Sequence, residues 1–379
     1  MPGFELIDNK EKEALNSLFD EGGVLFAHGF DGIRKRYHVR EFESELSSYF
    51  SSNHSLCVSS GTAAIKCALA AYDIKAGDEV ITQSFNFIAT LEAIHDIGAT
   101  AVVVGIDDSL NMCPKHLKEN ITEKTKAIMP VHMLGVPADM SSIMDIASIH
   151  NIPVIEDACE AVGAKYDNKF AGTLCDYGIF SFDFGKNITT GEGGAILSKS
   201  HDLDTLVREY HDHGHQNIEN LPRGLDLASR PGFNYRLGEM NAVVGKEQLK
   251  KLDFILNENK KRYMVLSDGL ANISSIKKRY IPNLAVPSYD TFIFEISDED
   301  KREEVKNILI SSGIGTKNLP DAIRWHCSYY WNYFLEDANN KYATETLQKL
   351  SKNIAIPIVL KKDIHEYKNI LKEILNVFV

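Results

Sequence analysis

Residues 177–198 read YGIFSFDFGKNITTGEGGAILS: an apolar, β-rich run, a polar turn holding Lys186, the glycines Gly191, Gly193 and Gly194, and a second apolar run. Short continuous apolar runs of this kind suit strands covered on both faces. Upstream, HSLCVSS, EVITQSF, TAVVVGI, KAIMPVHM and IPVIED repeat the pattern. Helical patterns fall between them, at Thr62 to Tyr72, Ala89 to Ile97, Met140 to His150 and, further on, Leu203 to His211. From about residue 54 to 200 this alternation predicts an α/β domain built on a largely parallel sheet.

Downstream, AVVGKEQLKKLDFILNENKKRYMVLSDGL (242–270) predicts one long amphipathic helix leading out of the large domain. The division is placed near residue 250, giving a large domain with an amino-terminal arm (1–250) and a small carboxy-terminal domain (251–379). In the second part DTFIFEI predicts a strand, and DKREEVKNILISSG and TETLQKLSKN predict helices, an α+β mixture.

A net charge of -12 argues against nucleic acid or an anionic membrane as partner, because both reward clustered Lys and Arg. The start, MPGFELIDNKEKEAL, lacks the basic and apolar regions of a secretory signal, so the expected compartment is the cytoplasm. Six cysteines without a CxxC pair suit buried thiols better than disulfides or zinc.

Three places carry chemistry. A lysine in a polar turn is ordinarily a solvated side chain. Lys186, however, lies between two apolar strands and before a glycine cluster, where a partly desolvated amine can lose its proton and form an imine with an aldehyde. In SSGTAA (59–64), Ser60, Gly61 and Thr62 follow a strand and open an Ala-rich helix, so they are either a plain helix cap or an anion cradle. In IPVIED (152–157), Glu156 and Asp157 end an apolar strand, where ligands of open α/β sheets bind. Asp157 can pair there with a protonated pyridine nitrogen. Magnesium is the competing partner, but Asn187 stands where a phosphate-binding loop needs Ser or Thr after its lysine. Ser181 can add a phosphate contact.

SSGTAA, VIEDAC, FSFDFGKNITTGEGG and PGFNYRLGEMNAVVG, in that order, resemble the motifs of the DegT/DnrJ/EryC1/StrS sugar aminotransferases over nearly the whole chain. The resemblance implies pyridoxal phosphate (PLP) as cofactor and PLP fold type I, with a mixed, mostly parallel seven-stranded sheet plus a small α+β domain. It makes Lys186 the Schiff-base lysine and Asp157 the pyridine partner. Gly61, Thr62 and Ser181 become the phosphate cradle, and Phe87 the ring that stacks on the cofactor. Asn234 becomes the residue that reaches the phosphate of a neighbouring subunit, which implies a homodimer with shared sites. Glu160 departs from the commoner Gln or His near the phenolic oxygen; a carboxylate there repels a phenolate unless one is protonated. Dehydratases of the family carry His in place of the lysine, so Lys186 favours transamination.

MPGFELI (1–7), HDHGHQNIENLPRG (211–224) and RWHCSYYWNY (324–333) resemble the family members that move the amino group of L-glutamate onto the C8 aldehyde of a free 3,8-dideoxy-octulosonate, giving 8-amino-3,8-dideoxy-manno-octulosonate for lipopolysaccharide. The alternative acceptor is a nucleotide-linked 4-keto or 3-keto hexose. A free sugar acid needs a cation for its carboxylate and donors for its hydroxyls, with Arg34, Arg36, His213, His215, Arg223, Trp325 and His326 as candidates. His211, Asp212, His213 and His215 could instead ligate a metal, but transamination needs none and Gly214 breaks helical spacing, so no metal is expected.

Overall fold

The computed structural model describes residues 2–218, 221–226, 230–333 and 335–379. All seven expected strands form. From one edge the order is His54–Val58, Gly194–Ser198, Tyr177–Ser181, Ile155–Asp157, then Thr125–Ile128, Glu79–Gln83 and Thr100–Val104. The two groups are joined by parallel bridges, Ile128 to Val154 and Val131 to Asp157. Gly194–Ser198 runs antiparallel to both neighbours, and the other pairings are parallel. Val, Ile and Phe in these strands suit a surface packed on both faces.

Gly61–Ala71 packs on the sheet with eight buried residues. Ala and Leu give it strong helix propensity, and the Ser60 side chain caps it by accepting from the Ala63 N–H at 3.0 Å. Asn9–Asp20, near the start, is closed by a capping box in which Asp8 and Glu11 exchange bonds.

The long helix expected over 242–270 is instead two, Glu239–Leu249 and Leu252–Gly269. The break falls where Lys251 Nζ is drawn to the Leu6 carbonyl at 2.6 Å and to Glu11 at 2.7 Å. Amphipathic spacing carries no trace of that tertiary contact. A second core gathers Tyr263, Leu266, Phe292, Phe294, Ile354, Ile356 and Ile370 around the antiparallel sheet Ile276–Lys278, Thr291–Ile296 and Asn353–Pro357. Among the described residues no helix is long and apolar enough to cross a membrane.

Candidate active site

Parallel strands release their chains at one end of the sheet, and a cavity of about 840 Å³ opens there. Its walls come from the segments after Val58, Gln83, Ile128, Asp157 and Ser181, and from residues 313–326 and 357–361. Successive side chains of a strand point to opposite faces, and this separates the two carboxylates of VIED. Glu156, fully buried, accepts from the Gly172, Leu174 and Cys175 N–H groups at 2.6–2.8 Å and faces His132 at 3.2 Å. Asp157 faces the cavity. Its Oδ2 accepts from Thr90 Oγ1 at 3.0 Å and its Oδ1 from the Cys159 N–H at 3.1 Å.

Lys186 follows the strand Tyr177–Ser181, and its N–H donates to the Asp183 carbonyl at 3.0 Å. Its Nζ lies 3.5 Å from Glu160 Oε1, with side-chain exposures of 18% and 8%. The other Glu160 oxygen accepts from the Leu134 N–H at 3.1 Å. Burial works to raise the Glu160 carboxyl, but Lys186, Lys317, His326 and the Leu134 N–H hold it down to about 2. Burial likewise works to lower the Lys186 amine, yet Glu160, then Cys159, Asp183 and Asp157, carry it above its usual value. Only together do Glu160, Cys159, Asp183 and Asp157 offset the effect of burial on this amine.

Ser60, Gly61, Thr62, Phe87, Asp157, Glu160, Ser181, Lys186 and His326 all line the cavity. Ser60 is both the cap of its helix and part of the cavity wall. A Cβ on Gly61 would lie 3.0 Å from the Ser181 Cβ and 3.1 Å from the Cys159 sulfur, so any larger residue at the helix start would have to push those side chains aside by a few tenths of an ångström. The ring of Phe87, 46% exposed, is 5.4 Å from that of His326. His326 Nδ1 bonds to the Ala322 carbonyl at 2.8 Å, and burial holds the imidazole below its usual value.

The remaining substrate candidates lie elsewhere. Arg34 is buried against Glu239 at 2.8 Å, and Arg36 pairs with Glu41 and Glu21. Arg223 grips Asp212, which also binds Arg236 and Asn217. His215 faces Asp226 at 3.4 Å, while His213 and Trp325 are exposed away from the lining. Sequence spacing gives no warning that these cations already have carboxylate partners. Asn234 is exposed and outside its own chain's cavity. Glu219 and Asn220 of the HDHGHQNIENLPRG segment lie outside the described residues. Thr90, Lys317, Phe184 and the amino-terminal Phe4 and Glu5 also line the cavity and were missed. Thr90 follows Phe87 by three residues at a helix start, Phe184 lies inside FSFDFGKNITTGEGG and Phe4 and Glu5 inside MPGFELI, whereas Lys317 lies in none of the stretches singled out.

These residues fit pyridoxal phosphate. The buried carboxylate of Asp157 suits a protonated ring nitrogen, and the open N–H groups of Gly61 and Thr62 with the Ser181 hydroxyl suit a phosphate. The Lys186 amine suits an aldehyde.

Comparison with known proteins agrees. The GDP-perosamine synthase of Caulobacter vibrioides is 41% identical over 216 residues, 57% of this chain and 57% of that one. The GDP-perosamine synthase of Escherichia coli O157:H7 is 31% identical over 312 residues, 82% of each chain. The structure of an aminotransferase from Psychrobacter cryohalolentis superposes with a TM-score of 0.87 at 25% identity, covering 98% of this chain and 97% of that one. Residues 31–374 match the DegT/DnrJ/EryC1/StrS family, so the chain belongs to these PLP-dependent sugar aminotransferases.

Proposed function

We propose that the chain transfers the amino group of L-glutamate to the keto carbon of a nucleotide-linked deoxyhexose, with Lys186 as cofactor lysine and proton carrier. The observation that carries this reading is the convergence of Lys186, Glu160, Asp157, Ser181 and the start of helix Gly61–Ala71 on one cavity. Bound pyridoxal phosphate supplies an electron-withdrawing ring that stabilises a carbanion at the donor's α-carbon.

The other roles belong to the chain. Asp157, held by Thr90 and the Cys159 N–H, keeps negative charge at the ring nitrogen. Ser60, Gly61, Thr62 and Ser181 hold the phosphate, and Phe87 covers the ring. Lys186, once its amine is freed, takes the α-carbon proton and later returns a proton to the new amine's carbon. Glu160, 3.5 Å away, steadies the lysine while it is charged. The exposed Asn234 serves the site of a second copy, in a homodimer with shared sites.

The names of two curated relatives, both GDP-perosamine synthases, support a nucleotide-linked acceptor. Arg34, Arg36 and Arg223, the candidates for an octulosonate carboxylate, are engaged by carboxylates outside the cavity, whereas Lys317 and Lys361 line it and would suit a carboxylate or a nucleotide's phosphates alike. The test is to load the protein with the amino form of the cofactor and offer nucleotide-linked keto-hexoses and the C8-aldehyde octulosonate. Return of the aldehyde-form spectrum with a nucleotide sugar is the expected result. Return only with the octulosonate would restore the acceptor expected from the sequence. A sugar-binding protein without catalysis would hold the chromophore yet release no 2-oxoglutarate from glutamate.

A further inference from the structure

The first residues of the chain are joined to the loop that carries Lys186. Pro2–Glu5 forms a single helical turn, and the Gly3 N–H donates to the Lys186 carbonyl at 3.1 Å. A Cβ on Gly3 would lie 2.7 Å from that same oxygen, and 3.1 Å from the Ile188 carbonyl carbon and the Thr189 nitrogen. No methyl group fits there unless one of the two main chains moves, so this contact requires glycine.

The turn also reaches across the cavity. Phe4 meets Phe184, two residues before Lys186, with ring centres 6.1 Å apart, and both rings line the wall beside Glu5. Glu5 Oε2 accepts from the Lys361 N–H at 2.9 Å, and the Lys361 ammonium lies 5.7 Å from the Phe4 ring centre. Lys361, with Val359 and Pro357, belongs to the carboxy-terminal wall of the same cavity. Behind the turn, Gln248 donates to Glu11 at 2.8 Å and accepts from the Thr189 N–H at 3.4 Å, and Lys251 pairs with Asp8 and Glu11. One network therefore links the chain start, the lysine loop and the carboxy-terminal wall.

We infer that Gly3 and Glu5 are positioning residues for Lys186, an inference that rests on the assignment of Lys186 above. A lysine amine sits at the end of a flexible stem, and its reach is set by where the main chain is held. Both peptide groups of Lys186 are held, the N–H by Asp183 and the carbonyl by Gly3. Removing the second hold frees a loop whose Phe184 is already 56% exposed. A displacement of about 1 Å at a reacting group costs on the order of a hundredfold in rate.

The test uses the full-length, cofactor-loaded protein, Gly3→Ala, Glu5→Ala and a chain lacking residues 2–7. For Gly3→Ala the visible absorbance of the Lys186-linked cofactor should titrate at a shifted pH. Its kcat should fall roughly tenfold or more, with KM for the sugar within about twofold. In the cofactor-free protein, main-chain hydrogen exchange over 183–190 should quicken by about tenfold while the melting temperature holds. Glu5→Ala should move the same readouts less. If Gly3→Ala does not fold, the shortened chain carries the same expectations. Wild-type titration, exchange and kcat in these variants would overturn the inference, as would a kcat loss that only follows loss of folded protein. A wild-type protein with no visible band would instead remove the assignment of Lys186 beneath it.

Discussion

Lys186 Nζ and Glu160 Oε1 stand 3.5 Å apart in a largely buried pair, and each holds the other in its charged form. The sign of the pH effect follows. Attachment of an aldehyde uses the neutral amine, so the ionised carboxylate, by raising the amine, slows attachment below the amine's titration. In Glu160→Gln that influence disappears while burial, which lowers the amine, remains. The profile of pyridoxal-phosphate attachment rate against pH should therefore move to lower pH, with faster attachment near neutrality. Stopped-flow absorbance measures it, and an unmoved profile would show that the carboxylate does not govern the amine.

Lys186→Ala removes the amine but leaves the wall of the cavity. It should abolish turnover and any borohydride-reducible link to the cofactor, while the phosphate-binding residues still permit non-covalent uptake. Mass spectrometry after reduction reads the link directly. Full activity, or a reduced adduct on another lysine, would refute the assignment.

Asp157 and Thr90 act as a unit, because the hydroxyl of one donates to the carboxylate of the other at 3.0 Å. Asp157→Asn should lower kcat by roughly a hundredfold or more, the scale of losing a preorganised charge at a reacting centre. Thr90→Val keeps the carboxylate but frees its orientation, so its loss should be smaller and should nearly vanish in the Asp157→Asn background. A double-mutant cycle in kcat checks this; strictly additive losses would separate the two residues.

Most of the sheet was legible because a strand buried on both faces has to be apolar, and Tyr177–Ser181 and Gly194–Ser198 announce themselves in that way. The cavity residues that follow such strands, Asp157 and Lys186 among them, were legible for the same reason: strand ends are where an α/β sheet opens. What escaped was whatever depends on distant partners. The turn at Lys250 and Lys251 coincides with the contacts of the Lys251 ammonium to Glu11 and Leu6. The raised amine of Lys186 depends on Glu160, whose charge was noted but not its distance. Phe4 and Glu5 reach the cavity from MPGFELI, a stretch noted for its resemblance but with nothing in it to place it at the lysine loop.

Arg34 shows how a substrate candidate becomes a structural one. Its guanidinium meets Glu239 at 2.8 Å with side-chain exposures of 2% and 0%, and it donates as well to the carbonyls of Phe26 and Arg36. Glu239 in turn accepts from the His38 N–H at 2.6 Å. Arg34→Ala leaves that carboxylate buried and unpaired, which costs about 3–5 kcal/mol, whereas replacing both charges by apolar groups of similar volume is often close to neutral. Urea unfolding should therefore show a large loss for Arg34→Ala and partial recovery in Arg34→Met with Glu239→Leu. KM for the sugar should stay near its wild-type value in the folded single variant. A raised KM without loss of stability would return this arginine to the substrate.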